Sequence, residues 1–422
     1  MAKYALAGIE INKITMKALL TDKKMFIAYA FLLIALLGIL EVLHSRYFSD
    51  SVTAFSAGLA PGSREVADAM REAVFGHGGE VKREAPWSLY IVNYMYMIYV
   101  GSGIIFLVAL AELFSIKLII KAAAGFLTLG LAMLIAGLFT IFADLNVLHV
   151  HHMFLSPQIS SGMWLMLPLY ILYIPLVMFE IYLILSHKDS WVKKIAFIIL
   201  IISLLVEFVE FYVQAKLFDM NSARHLWTSY PLLPLYFMVS SFTASVAVMM
   251  LYTFLMYRHT DRSKCMELML LIQKITLYSV IVLGAYEATA YLFIDKNWAA
   301  IILFGDFKYY FYAYLGMAIV LPMILLFKHF SNNSYKVFAA ISIIIGTYLG
   351  RMIFVYGGNA YPMSDRFGVG FEKYSEYEPV KEVIFFMPPW GEIAVVIGSV
   401  GIVLVIYKIV DAYLSISKLR EH

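Results

Sequence analysis

Ten separate runs of apolar residues, each about long enough to cross a lipid bilayer, constrain this 422-residue chain more than anything else in it. An α-helix rises about 1.5 Å per residue, so roughly 20 apolar residues cover about 30 Å of hydrocarbon. Runs at 25–43, 88–113, 119–144, 162–186, 195–217, 231–256, 275–294, 309–327, 336–356 and 391–410 meet that requirement. They are continuous rather than alternating, which excludes an outer-membrane barrel. With 62% hydrophobic and only 14% charged residues, an aqueous surface cannot be covered, and lipid must be the main solvent. The chain reads as an all-α polytopic membrane protein with no sizeable water-soluble domain.

The ends and loops complete the layout. Tyr4–Leu20 mixes apolar residues with Lys13 and Lys17, and the stretch 1–24 reads as a cytoplasmic interfacial helix. The first run, 25–43, is too long for a cleavable signal and has no small-residue cleavage site, so it is expected to remain as an anchor. An even number of spans puts both termini on one side. Most of the 32 Lys and Arg residues fall on that side, which predicts cytoplasmic termini in a plasma membrane. Two long outer loops, 44–87 and 357–390, lie opposite. Within the first, Ser63–Phe75 reads as a short Ser-capped helix. The net charge of +3 is accounted for by topology and anionic lipid, with no nucleic-acid partner implied.

Cys265 is the only cysteine, so the chain forms no internal disulfide and supplies no thiolate set for an iron–sulfur cluster. Its ten histidines lie in loops or at span ends, where a haem held between two helices finds no matched axial pair. Inside the spans remain acids that cost roughly 2.5–3.5 kcal/mol each to insert at mid-membrane, and these should face the bundle interior. Glu207 and Glu210 share one helix face, and Glu287 lies in the seventh run; each is a proton-relay candidate or a helix fastener. Tyr286, Glu287, Arg351 and Glu392 form a further polar set open to the same two readings. Glu112 and Glu180, near inner ends, read as interfacial groups. The stretch Asp144–Met163 (DLNVLHVHHMFLSPQISSGM) leaves three options: a metal at His149 with His151 or His152, a plain loop, or a quinone headgroup site using imidazole and carboxylate. No completing ligand set is visible, so no metal is assigned.

Several stretches resemble the NrfD/PsrC family, the membrane subunits of polysulfide-reductase-like complexes. PWSLYIVNYMYMIYVGSGIIFLVALAELF resembles its opening helix, with Gly101 and Gly103 allowing close contact. FADLNVLHVHHMFLSPQISSGMW resembles its Asp-containing segment, and ARHLWTSYPLLPLYFMVSSFTASVAV its Arg-x-x-Trp segment. Ten spans, with the late GGNAYPMSDR and PPWGEIAVVIGSVG segments, look most like the longer HybB-type branch. One departure is Asn146-Val147, where many relatives carry Gly-Arg after the Asp.

The resemblance implies two four-helix bundles, 88–217 with the quinone site and 231–356, flanked by one helix at each end (25–43 and 391–422). It also implies a quinone, menaquinone or another, as substrate, with no haem or iron–sulfur cluster in this chain. A ferredoxin-like iron–sulfur subunit and a molybdopterin or nickel–iron catalytic subunit would be its partners. By the family's ring-binding positions, Asn93, Tyr94, Tyr212 and Arg224 are the expected headgroup contacts. Asp144 and His152 are the expected proton exchangers beside Tyr212, and Glu207, Glu210, Glu287 and Arg351 the expected proton path. Secondary transport and passive anchoring of an oxidoreductase are the competing functions.

Overall fold

The computed structural model describes residues 3–6, 9–12, 21–47, 87–144, 152–155, 157, 159, 161–186, 190–220, 225–230, 232–258, 262–293, 302–305, 307–327, 333–360 and 388–417. Ten helices among them are long and apolar enough to cross a membrane. They are α1 (Phe26–Tyr47), α2 (Leu89–Leu113), α3 (Lys117–Asp144), α4 (Gly162–Leu185) and α5 (Ser190–Asp219). Then come α6 (Leu233–Tyr257), α7 (Arg262–Phe293), α8 (Lys308–Phe327), α9 (Asn333–Ala360) and α10 (Trp390–Leu414). The chain is an all-α polytopic membrane protein. The helix expected over Ser63–Phe75, the histidines His149 and His151, and Arg224 lie outside the described residues.

The N-terminal reading needs correction. Lys3–Leu6 (β1) and Ile9–Asn12 (β2) pair antiparallel, Leu6 opposite Ile9, with Ala7 and Gly8 between them. Two β-branched isoleucines alternate with Glu10 and Asn12, a period of two that suits a strand and defeats a helix. The hairpin is fastened to the end of α10, where Asn12 Nδ2 donates to Ala412 O and Ser415 Oγ, both at 2.9 Å.

Helices α2, α3, α4 and α5 contact in a closed ring, as do α6, α7, α8 and α9. The rings meet where α6 packs on α2 and α5 and α9 packs on α2; α1 rides on α10, which itself lies against α3. Lipid tails offer helices no hydrophobic drive to associate, so close packing of small residues does this work. Gly101 and Gly130 let α2 and α3 touch backbone to backbone: a Cβ on either would sit 2.7–2.9 Å from the other's carbonyl oxygen. Along α10, a Cβ on Gly398 would lie 2.2 Å from that of Ala35 in α1. Gly398→Leu is therefore expected to destabilise the protein by about 1–3 kcal/mol, the usual cost of overpacking. Unfolding in detergent, with the hairpin and α1 becoming protease-sensitive first, checks this.

Polar groups tie the same contacts. Glu392, in the first turn of α10, accepts from the hydroxyl of Ser88 and from Tyr90 N–H at 3.0 Å, so it satisfies the exposed start of α2. Helix α8 widens into a π turn at Gly316–Val320, where Leu321 N–H reaches back to Gly316 O. Pro322 follows and has no N–H to offer, which leaves the Met317 carbonyl without a partner in its own helix. Ser342 of α9 supplies one at 2.7 Å.

Candidate functional site

Helix α5 carries Glu207, Glu210 and Gln214 at spacings that bring all three to one face, and each is only 1% exposed, inside the first ring. Near the side opposite the termini, Gln214 Nε2 donates to two phenolic oxygens, Tyr170 at 2.5 Å and Tyr94 at 3.0 Å, and those hydroxyls stand 3.1 Å apart. One turn deeper, Glu210 accepts from Ser102 Oγ at 3.1 Å, and both tyrosines are within its electrostatic reach. Another turn deeper, Glu207 accepts from the hydroxyl of Tyr173. Seven residues separate Glu207 from Gln214, about 10 Å along the helix.

This cluster is not fully satisfied. Gln214 Oε1, Glu210 Oε1 and Glu207 Oε2 are buried with no hydrogen-bond partner. Buried polar atoms are nearly always paired in native proteins, so three open acceptors on one helix face single out this cluster as the candidate site. The series continues toward the termini side. Glu180 of α4, 4% exposed with both oxygens unpaired, lies within electrostatic reach of Glu207 and of Glu112. Glu180 reads from sequence as an interfacial group near the inner end of its span, and α4 turns its side chain into the bundle there.

Of the residues singled out from sequence, Tyr94 joins this cluster. Asn93 instead bridges helices, its Nδ2 donating to Thr140 Oγ1 of α3 at 2.9 Å and Ser399 Oγ of α10 at 3.1 Å. Tyr212 is 55% exposed on the opposite face of α5, two residues beyond Glu210 and so about 200° around the helix. Asp144 closes α3, partly buried, and His152 opens a short helix, His152–Leu155. Sequence reading did not single out Tyr170, and placed Gln214 beside Tyr212 at the outer end of the span without choosing it as a headgroup contact. The three-then-four spacing from Glu207 through Glu210 points to Gln214 rather than Tyr212.

The second ring holds Glu287 and Arg351. Tyr314 donates to Glu287 Oε1 at 2.6 Å, and Glu287 Oε2 is unpaired. Arg351, 3% exposed, donates from Nη2 to Ser240 Oγ at 2.8 Å and Ser241 Oγ at 3.0 Å. Its guanidinium carbon lies 4.5 Å from the Phe237 ring centroid, 5.2 Å from Tyr236 and 5.4 Å from Tyr99 of the first ring. Tyr230 closes this region from the connecting segment; burial, with Glu287 nearby, pushes its hydroxyl well above the usual phenol range and keeps it protonated. An aromatic cluster seals the two rings on that side. Trp87 stacks on Trp227 at 5.0 Å, Phe218 meets both, and Trp227 Nε1 donates to Phe354 O at 2.8 Å.

Among the described residues, no three of His, Cys, Asp and Glu are grouped to hold a metal. No curated protein matches the chain. Compared with known families, residues 78–362 match the one described as Polysulphide reductase, NrfD, a stretch that takes in α2 to α9 and leaves α1 and α10 outside. That stretch covers both rings and well over half of the sequence, and the chain belongs to the NrfD family, membrane subunits of quinone-linked oxidoreductases.

Proposed function

We propose that the chain exchanges electrons between the membrane quinone pool and a docked iron–sulfur subunit, with a molybdopterin or nickel–iron subunit carrying the other half-reaction. The observation that carries this reading is the Tyr94–Tyr170–Gln214 cluster with Glu210 beneath it. A quinone needs donors to its ring oxygens, and the two phenols supply them. A quinol needs acceptors for its hydroxyls, and Gln214 Oε1 and Glu210 Oε1 are open for that role. Reduction takes up two electrons and two protons, so a group that holds or passes a proton must stand within reach of the ring. Glu210 is that group here, with Glu207 next along α5. Asp144, at the end of α3, and His152, at the start of the short helix His152–Leu155, are the proposed exchangers at the far surface. Glu287 and Arg351 form a separate polar centre through which the second ring takes part in proton movement. Two flanking helices outside the family match favour the longer, HybB-like branch, and the excess of Lys and Arg on the termini side favours cytoplasmic termini.

Purification in mild detergent, with mass spectrometry of co-purifying proteins and extracted lipids, tests the assignment. An iron–sulfur protein and bound quinone are the expected result. A lone chain carrying neither would overturn it and favour solute transport.

A further inference from the structure

Tyr99 follows Tyr94 by five residues and so lies about 140° around α2 from it, which turns it from the α4 side toward the second ring. Its ring stacks on Phe211 of α5, with centroids 4.8 Å apart and planes 6° from parallel, and meets Phe237 of α6 at 5.4 Å. The Arg351 guanidinium of α9 stands 5.4 Å from the same ring. Tyr99 therefore sits at the seam where α2 and α5 meet α6 and α9, and it is wholly buried. Its hydroxyl has no hydrogen-bond partner. Packing explains the ring but not the oxygen, because phenylalanine would stack equally well without the cost of burying an unpaired hydroxyl.

Polar groups stand on both sides of that oxygen. Glu210, Tyr94 and Tyr170 of the first ring are within its electrostatic reach, as is Arg351 of the second, and Glu287 lies within reach of Arg351 in turn. Four buried atoms along this series are open: Glu210 Oε1, the Tyr99 hydroxyl, Arg351 Nη1 and Glu287 Oε2. They comprise two acceptors, a donor, and a hydroxyl that is both, so single bound waters between neighbours would satisfy all four. Beyond Glu287, Tyr314 donates to its other oxygen at 2.6 Å and lines, with Tyr230, Tyr236 and Tyr291, a cavity of about 10 Å³, close to the room one water needs.

We infer that Tyr99 is a proton-relay residue joining the two rings, its hydroxyl passing protons between Glu210 at the quinone cluster and the Arg351–Glu287 centre. The inference rests on the quinone reading above and concerns the source of one of the two protons. Written for reduction, with electrons arriving from the iron–sulfur subunit, the Glu210 carboxyl gives its proton to a ring oxygen and is left a carboxylate. Tyr99 gives its hydroxyl proton to that carboxylate and takes another at its oxygen from water on the Arg351 side, so both groups return to neutral. Glu287 replaces the proton drawn from that water and is itself reprotonated from the tyrosine-lined cavity. Oxidation of a quinol runs the same steps in reverse. Arg351 stays charged throughout and holds the water with its open N–H, since a guanidinium does not give up a proton in a protein.

The test is quinone turnover by the purified complex in phospholipid nanodiscs, with a short-chain naphthoquinone as acceptor and a reduced dye feeding the iron–sulfur subunit. Wild type, Tyr99→Phe, Glu287→Gln and the double variant are compared. Because the hydroxyl has no protein partner, Tyr99→Phe should melt at or above the wild-type temperature. Its turnover should nevertheless fall about tenfold, less than the hundredfold of a positioned acid or base, since water still bridges part of the gap. Glu287→Gln should lower turnover by about as much, and the double variant should lose no more than either alone, as members of one unit do. Both single variants should show a larger solvent deuterium isotope effect on turnover. Tyr99→Phe turning over within about twofold of wild type would overturn the relay, as would losses that multiply in the double variant. Lost turnover accompanied by a lower melting temperature would give the hydroxyl a structural role and overturn the relay as well. These outcomes leave the proposed function standing. A wild-type complex that reacts with the dye but not with the quinone would remove that function and the relay with it.

Discussion

Glu210→Gln is expected to lower quinone turnover by the reconstituted complex about a hundredfold, within the range for losing one positioned proton-transfer group. Gln keeps the size of the side chain and its hydrogen bond with Ser102, so the fold should be retained and artificial dyes should still exchange electrons with the iron–sulfur partner. Tyr212→Phe, on the lipid face of α5, should leave turnover within twofold. Measuring both in one preparation separates a site on the buried face from one on the exposed face. A large effect of Tyr212→Phe with none from Glu210→Gln would move the site outside the bundle.

That contrast also shows how far the sequence carries. All ten spans were legible, because crossing hydrocarbon demands a long apolar run and little else imitates one. Helix ends were less so. α7 begins at Arg262, well before the apolar run at 275, because hydropathy marks contact with lipid and not helical structure. Charged Lys264, Glu267 and Lys274 extend the helix where it leaves the hydrocarbon. The hairpin Lys3–Asn12 was hidden because hydrophobic content drew more notice than its period of two.

Site residues divide along a similar line. Buried acids announce themselves by their insertion cost, and Glu207, Glu210 and Glu287 do lie in the bundle interior. Tyr170 could not be distinguished among 30 tyrosines, since the same residue serves interfacial belts and interior hydrogen bonds. Asn93 bonds Thr140 and Ser399, residues 47 and 306 positions away, and contacts at such separations are set by packing alone. The family resemblance supplied the function class, whereas choosing a face of α5 required only helical geometry.

Arg351→Leu is expected to be the most destabilising single change, by about 3–5 kcal/mol, because it removes one member of a buried charge system and leaves the rest uncompensated. Three losses coincide: the hydrogen bonds to Ser240 and Ser241, the cation over the Phe237, Tyr236 and Tyr99 rings, and the positive charge within reach of Glu287. Lys should rescue only in part, since a point charge cannot reproduce a planar fork that both bonds two hydroxyls and stacks on aromatic faces. Adding Glu287→Gln to Arg351→Leu removes the orphaned acid and should recover part of the stability, giving a coupling of about 0.5–3 kcal/mol in a double-mutant cycle. Thermal unfolding in one detergent, with all four proteins side by side, measures it. Strict additivity would mean that Arg351 serves packing between α9, α6 and α2 alone, and that Glu287 forms a separate centre with Tyr314.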